Sequence, residues 1–294
     1  MVRIVPHIWF QDSLAEAGRL YGHVVPGSKI TSESSLDGTP SGKVAMATWF
    51  LGGLQVQALA APAPFTLNPS FSLLLACEGP TEVDRIHARL VEGGSELMPL
   101  GTYPFSPRYA WVIDRFGLSW QIMDYSGRRL GRRVTPTLMF TGTACGRCEE
   151  AMRAYAGLIP GSAVGELDRY GPGMEPNQPE QVKHGGFTLA GTALAAMDSA
   201  LSYQFSFNEA ASFIAFVETQ AELDGLWAAL SADPEAERCG WLKDRFGLSW
   251  QVVPEGLGRI MASDDDAARS RTRDAFLAMR KLDIAALERA ARGD

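Results

Sequence analysis

Cysteine is scarce: Cys77, Cys145, Cys148 and Cys239 are the only four in 294 residues. That is far too few to staple a fold, so disulfides are excluded as its framework and the thiols are expected to be free in a reducing compartment. Positive charge is short as well. Lys and Arg number 27 against 34 Asp and Glu, the net charge is −7, and no basic run occurs. The electrostatic footprint of a nucleic-acid binder is missing, which excludes that class of partner. No uninterrupted apolar run approaches the ~18 residues that crossing a bilayer requires. The opening Met1-Val2-Arg3-Ile4-Val5-Pro6 lacks the charged-then-apolar layout of a secretory leader. The expectation is a cytoplasmic protein with no membrane partner. Nucleophilic catalysis has no signature either, because there is no Gly-x-Ser-x-Gly elbow and no cysteine with a patterned histidine partner.

What is present is an ordinary globular composition, 46% apolar and 21% charged, with length for two domains of average size. Self-similarity is the dominant signal. Asp114-Arg115-Phe116-Gly117-Leu118-Ser119-Trp120-Gln121 recurs unchanged as Asp244-Arg245-Phe246-Gly247-Leu248-Ser249-Trp250-Gln251. Pro6–Phe10 aligns with Pro136–Phe140, Pro26-Gly27-Ser28 with Pro160-Gly161-Ser162, and Phe65, Asn68, Ser72 and Glu78 with Phe205, Asn208, Ser212 and Glu218. The chain is a tandem duplication, with copy 1 over residues 1–127, copy 2 over 132–256 and a tail over 262–294.

Each copy reads as strand, helix and three strands, given twice. In copy 1, Ile4–Phe10 alternates so that Val5, His7 and Trp9 share a face, Ala15–Tyr21 is helical, and Ala45–Leu51 and Leu54–Ala60 form a hairpin through Gly52-Gly53. Ser70–Ala76 is a short apolar strand, Thr81–Glu92 a helix stopped at Gly93-Gly94, and Ala110–Ile113 with Leu118–Asp124 a hairpin turning at Gly117. Ser263-Asp264-Asp265-Asp266 caps a helix in the tail, and Asp283 caps a second over Ile284–Ala291. The Pro172–Pro179 stretch is a loop inside copy 2. The Asp-Arg pairs 114–115 and 244–245 are expected to form internal ion pairs that shape their hairpins. Cys145-Gly146-Arg147-Cys148 has redox spacing, but small buried packing cysteines are the favoured reading.

These residues carry a resemblance. The (βαβββ)-(βαβββ) plan, the Pro-x-(Leu/Ile)-x-Phe first strand, the Asp-Arg-Phe-Gly-Leu-Ser-Trp-Gln ending, Cys239-Gly240-Trp241-Leu242-Lys243 before it, and the Lys281-Leu282-Asp283-Ile284-Ala285-Ala286-Leu287 tail resemble the PhnB-like branch of the vicinal oxygen chelate superfamily. That superfamily includes glyoxalase I, extradiol dioxygenases and bleomycin-resistance proteins. The resemblance implies an α+β fold of tandem glyoxalase/bleomycin-resistance-like domains. Each is built of two βαβββ modules forming an open eight-stranded half-barrel around a small-molecule cleft, and a C-terminal helical tail follows. It also implies that the copies pair as an intrachain pseudo-dimer, with a further homodimer open.

Metal ligands in enzymatic members of the superfamily are typically a His or Gln on a module's first strand and a Glu on its last. Here Gln121 and Gln251 stand in place of the closing Glu, Gln57 stands at the corresponding hairpin place, and Ala195 is its counterpart in copy 2. An amide brings one carbonyl oxygen and no charge, so glutamines are poor substitutes for carboxylates on a hard divalent cation. His7, Gln57 and Gln121 make at best a weak metal set, and Thr137 replaces His7 in copy 2. His184, Asp198 and Gln251 form a second candidate polar triplet. The expected ligand-binding residues are therefore His7, Trp9, Gln57, Gln121, Thr137, His184, Asp198 and Gln251, with no cofactor and no strong metal site. Trp9, Trp49, Phe50, Trp111, Trp120, Trp241 and Trp250 lie on expected strands and divide between sheet core and an aromatic cleft. The expected function is binding of a small, partly aromatic molecule; the competing class is a metal-dependent lyase, isomerase or dioxygenase. Members of this branch are often described as 3-demethylubiquinone 3-methyltransferases, but Gly52-Gly53, Gly93-Gly94 and Gly185-Gly186 lead into strands, not into the helix that S-adenosylmethionine binding ordinarily uses.

Overall fold

Period-two burial along β1 (Arg3–Phe10) sends Ile4, Ile8 and Phe10 into the main core and turns Val5, His7 and Trp9 to the opposite face. The same logic repeats through a computed structural model that describes residues 2–39, 42–127, 132–261 and 265–294. Copy 1 contains β1, α1 (Leu14–Val24), β2 (Lys29–Thr39), β3 (Gly42–Leu51) and β4 (Leu54–Ala60), then β5 (Phe71–Cys77), α2 (Pro80–Leu90), β6 (Ser95–Tyr103), β7 (Ser106–Ile113) and β8 (Ser119–Asp124). Copy 2 contains β9 (Val134–Phe140), α3 (Cys148–Leu158), β10 (Ala163–Arg169), β11 (Val182–Leu189) and β12 (Thr192–Asp198), then β13 (Ala211–Val217), α4 (Gln220–Leu230), β14 (Trp241–Lys243) and β15 (Ser249–Pro254). Strands β2, β6 and β10 have no clear apolar alternation and were not assignable from it; all three are sheet edges with mostly exposed or half-buried residues.

The strand order shows how the copies combine. One sheet runs β14-β15-β13-β1-β4-β3-β2, the other β10-β11-β12-β9-β5-β8-β7-β6. Each therefore joins the first module of one copy to the second module of the other, through the antiparallel seams β1–β13 (Arg3↔Phe216 to Ile8↔Ala211) and β5–β9 (Phe71↔Leu138 to Leu75↔Val134). The seams carry reciprocal bonds: Trp9 N–H donates to the Ala210 carbonyl and Met139 N–H to that of Ser70, each at 2.8 Å. The expectation that each copy encloses its own cleft is corrected, since both concave faces are composites of the two copies. The intrachain pseudo-dimer is realised as shared sheets.

Modules of the same copy are tied on the helix side by the repeated octapeptide. The Asp114 carboxylate accepts hydrogen bonds from Tyr21 Oη (2.7 Å), Trp120 Nε1 (2.9 Å) and the backbone N–H groups of Phe116 (2.9 Å) and Leu118 (3.1 Å). Asp244 repeats this with Tyr155, Trp250, Phe246 and Leu248. Burial raises the pKa of both carboxyls while these bonds work against it. The expected Asp-Arg ion pairs do not form: Arg115 lies over the Phe116 ring and Arg245 pairs with Glu150. Gly117 and Gly247, both at φ +87°, close the turn. The octapeptide is thus a structural lock.

The first sheet has seven strands rather than eight, because the segment between α4 and β14 is too short for a hairpin and forms a 3₁₀ turn at Pro234–Ala236. The tail supplies the missing backbone partners. Cys239 and Gly240 N–H donate to the carbonyls of Met279 (2.7 Å) and Arg280 (2.8 Å), and Leu282 and Leu287 are fully buried. The tail helices are α5 (Leu257–Met261), α6 (Asp266–Ala278) and α7 (Ile284–Arg292), with Asp265 and Asp283 as N-caps. Ser263 and Asp264 of the expected cap lie outside the described residues. Among those described, no helix is long and apolar enough to cross a membrane.

Candidate functional site

Register places one polar row across the concave face of the first sheet: Thr48, Gln57, His7, Ser212 and Ser249 on successive strands β3, β4, β1, β13 and β15. His7 Nδ1 lies 3.3 Å from Ser212 Oγ, Gln251 Nε2 donates to the same oxygen at 3.1 Å, and Thr48 Oγ1 donates to Gln57 Oε1 at 3.2 Å. Burial pushes the His7 imidazole down to about 3, so the ring is neutral at physiological pH. Aromatic walls flank the row. Trp241 meets His7 edge-on at 5.4 Å between centroids and Trp9 at 5.8 Å, and Trp9 meets Phe65 at 5.1 Å. His7, Ser212 and Ser249 are buried, whereas Trp9, Trp241 and Gln57 are half-buried at the groove surface.

The second sheet carries the equivalent row without the imidazole and the amide: Gly186, Ala195, Thr137, Ser72 and Ser119. Its concave face is filled by its own side chains. Leu74, Tyr109, Trp111, Met123 and Met139 form a separate buried cluster, with Met98, Tyr103, Met197, Tyr203 and Phe205 packed on it. Gln121 is satisfied within this cluster, accepting from Tyr109 Oη (2.9 Å) and donating to Ser72 Oγ (2.8 Å), and Trp111 Nε1 donates to Ser119 Oγ (2.7 Å). Ser249, the counterpart of Ser119, has a buried hydroxyl with no partner among the described residues.

Both expected triplets are redistributed. His7 and Gln57 share their groove with Gln251 of copy 2, while Gln121 belongs with Thr137 in the other sheet, because the seams exchange second modules between copies. His184 is exposed and lies on the second sheet, away from Gln251. Asp198 is buried on the helix side of β12 rather than in the groove. Its carboxylate accepts from the N–H groups of Gly146 (2.7 Å), Cys148 (3.2 Å) and Val182 (3.0 Å), anchoring the start of α3. Ser212, Thr48 and Phe65 were missed as site residues. The repeat had already aligned Ser72 with Ser212 and Phe65 with Phe205, so alternation on the flanking strands was the available signal.

The aromatics divide by strand parity. Trp49, Trp120 and Trp250 are buried in the main core, and Trp9, Trp111 and Trp241 face the grooves. Burial pushes the Cys148 thiol well above its ordinary value and raises that of Cys145, the opposite of what a redox pair needs. Gln181 Nε2 donates to Cys145 Sγ at 3.3 Å, and the loop over 172–179 is tied down where Asn177 Oδ1 accepts from Ala200 N–H.

A divalent cation is poorly matched by the donors in the first groove. They are one imidazole, already engaged at Nδ1, and two neutral amides, and the carboxylate at the end of the row, Glu209, is taken up by Lys243 at 2.8 Å. Among the described residues, no group of three or more His, Cys, Asp or Glu side chains is placed to hold a metal ion.

Comparison with known proteins agrees with this architecture. The family model described as 3-demethylubiquinone-9 3-methyltransferase matches residues 2–123 and again 132–253. A PhnB protein from Bacillus cereus is 31% identical over 41% of this chain and 97% of its own, with a TM-score of 0.38. Glyoxalase I from Zea mays is 11% identical over 86% of this chain and 93% of its own, with a TM-score of 0.55, a likeness of fold alone. No curated protein matches.

Proposed function

The chain belongs to the PhnB-like family described as 3-demethylubiquinone-9 3-methyltransferase, within the glyoxalase/dioxygenase fold, and from that premise we propose that it binds a small, partly aromatic molecule in the groove of the first sheet without a strong metal site. The observation that carries this reading is the neutral His7 among the uncharged Thr48, Gln57, Ser212 and Gln251 between Trp9, Trp241 and Phe65, the charge at the end of the row being internally compensated in the Lys243–Glu209 pair. Ser212 has one hydroxyl hydrogen and already accepts from Gln251. Donating that hydrogen to Nδ1 leaves Nε2–H as the ring's donor toward a ligand oxygen. Aromatic walls supply contact area at low entropic cost, and a few polar groups fix orientation. Methyl transfer is not part of the proposal: Gly52-Gly53 forms the β3–β4 turn, Gly93-Gly94 precedes β6, and Gly185-Gly186 lies within β11, so none opens a helix.

The test is the divalent metal content of untagged protein purified without chelator, followed by Gln57→Glu and Gln251→Glu variants. The expected result is negligible native metal and no thermal stabilisation by added Zn, Ni or Mn. Tight binding should appear when a carboxylate joins His7, and not in Gln121→Glu, whose groove has Thr137 in place of the imidazole. Close to one native equivalent of metal would overturn the reading and favour a metal-dependent enzyme.

A further inference from the structure

Behind copy 1, away from both grooves, α1, the end of α2 and the turn before β8 border an open surface cavity of about 260 Å³ lined by Glu16, Arg19, Leu20, His23, Arg89 and Arg115. The duplication provides an internal control. Aligning Tyr21 with Tyr155, which make the same bond to Asp114 and Asp244, places Arg19 opposite Arg153 and Glu16 opposite Glu150; the repeated octapeptide places Arg115 opposite Arg245. In copy 2 these arginines are neutralised: Arg153 by Glu149 at 2.7 Å and Arg245 by Glu150 at 3.1 Å. In copy 1 the position of Glu149 is Ala15, and neither Arg19 nor Arg115 forms an ion pair among the described residues. Two basic groups are added as well. Arg89 stands where α4 has Ala229, and His23 where α3 has Gly157. Arg89 reaches only Glu92, at 3.7 Å with both side chains more than half exposed, a pair that water and salt largely screen.

We infer that this cavity is a binding site for the phosphoryl group of a small molecule, with Arg19 and Arg115 as its principal ligands. Three guanidinium groups around one hollow offer the planar donor forks that match phosphate oxygens. The hollow has room for such a group, and with a chain net charge of −7 the attraction comes from this local patch rather than from the molecule as a whole. Carboxylates share part of this chemistry, so the anions are compared directly.

The experiment is calorimetric titration of the full chain with inorganic pyrophosphate, inorganic phosphate and acetate at low ionic strength. The proteins are wild type, the Arg19→Gln/Arg115→Gln double variant, and an Arg153→Gln/Arg245→Gln control in copy 2. All four side chains are exposed, so unchanged thermal unfolding is expected and confirms that each variant is folded. The expected result is saturable one-to-one binding of pyrophosphate, weaker binding of phosphate and none of acetate. The copy 1 variant should weaken binding about tenfold or more, and the copy 2 control should leave it unchanged. Absence of saturable binding, equal binding of acetate, or equal loss in both double variants would overturn the assignment.

Discussion

Lowering the pH from 7 to 5 should destabilise this protein through one buried ring. His7 is held neutral by burial, its pKa pushed from 6.5 to about 3, so between those values the unfolded chain binds a proton that the folded chain refuses. Stability from this group is therefore fully present above about 6.5 and lost as the pH falls toward 3. Each pH unit inside that window is worth up to about 1.4 kcal/mol, and pH 5 lies far enough into it for a loss of about 2 kcal/mol relative to pH 7. Other groups, among them His184, whose pKa desolvation also lowers, contribute to the same change, so the effect is isolated by difference. Urea unfolding followed by tryptophan fluorescence is measured at both pH values for the wild type and for His7→Thr, which installs the residue that copy 2 has at position 137. The variant starts less stable because it leaves a cavity, but its loss on acidification should be smaller by about 2 kcal/mol. Equal losses in the two proteins would refute the argument, because they would mean that His7 is already hydrated or charged in the folded state.

Three further outcomes follow from the pairwise symmetry and its breaks. Ser249→Ala should be neutral or slightly stabilising in thermal unfolding, because its hydroxyl is buried without a partner, whereas Ser119→Ala should cost about 1–2 kcal/mol by orphaning Trp111 Nε1. Asp114→Asn keeps the shape but turns one acceptor oxygen into an N–H group facing donors, and a loss of about 2–4 kcal/mol in urea unfolding is expected, with the same loss for Asp244→Asn. Gly240→Ala should cost about 1–3 kcal/mol, because the residue has φ +84° and an added Cβ would press on Leu282 Cδ1 and the Val252 carbonyl at 3.1 Å. That substitution should also loosen the tail, read as faster proteolysis after Gly256.

Much of the fold was legible because duplication and alternation are local patterns. The octapeptide announced two copies, and the parity of Val5, His7 and Trp9 on β1 was read correctly because one face of that strand is apolar core. Edge strands such as β2 escaped because an exposed, polar edge has no buried face to impose a pattern. The candidate site was only half legible. His7, Gln57, Trp9 and Gln251 do share one groove, but Gln121 and His184 belong to the other sheet and Asp198 faces the helices, where it holds the backbone at the start of α3. The Asp-Arg pairs misled for a related reason. Adjacent opposite charges at a tight turn suggested an ion pair, while the tyrosine that satisfies each aspartate is distant in sequence and nothing local shows that the tryptophan six residues on turns its indole N–H back to the carboxylate.

By itself the amino-acid sequence determined the duplication, the common strand-helix-strand plan of the modules, the faces of strongly patterned strands such as β1, and the shortage of carboxylates at the positions where a metal site would need them. Those properties reside in residue identity and short-range period. Only the tertiary structure decided that β1 pairs with β13 and β5 with β9, and so which histidine meets which glutamine. The physical reason is that the seams are made of backbone hydrogen bonds between similar apolar strands. Those bonds are nearly blind to side chains, so the two copies' close likeness leaves the choice of partner module to the packing of the whole chain.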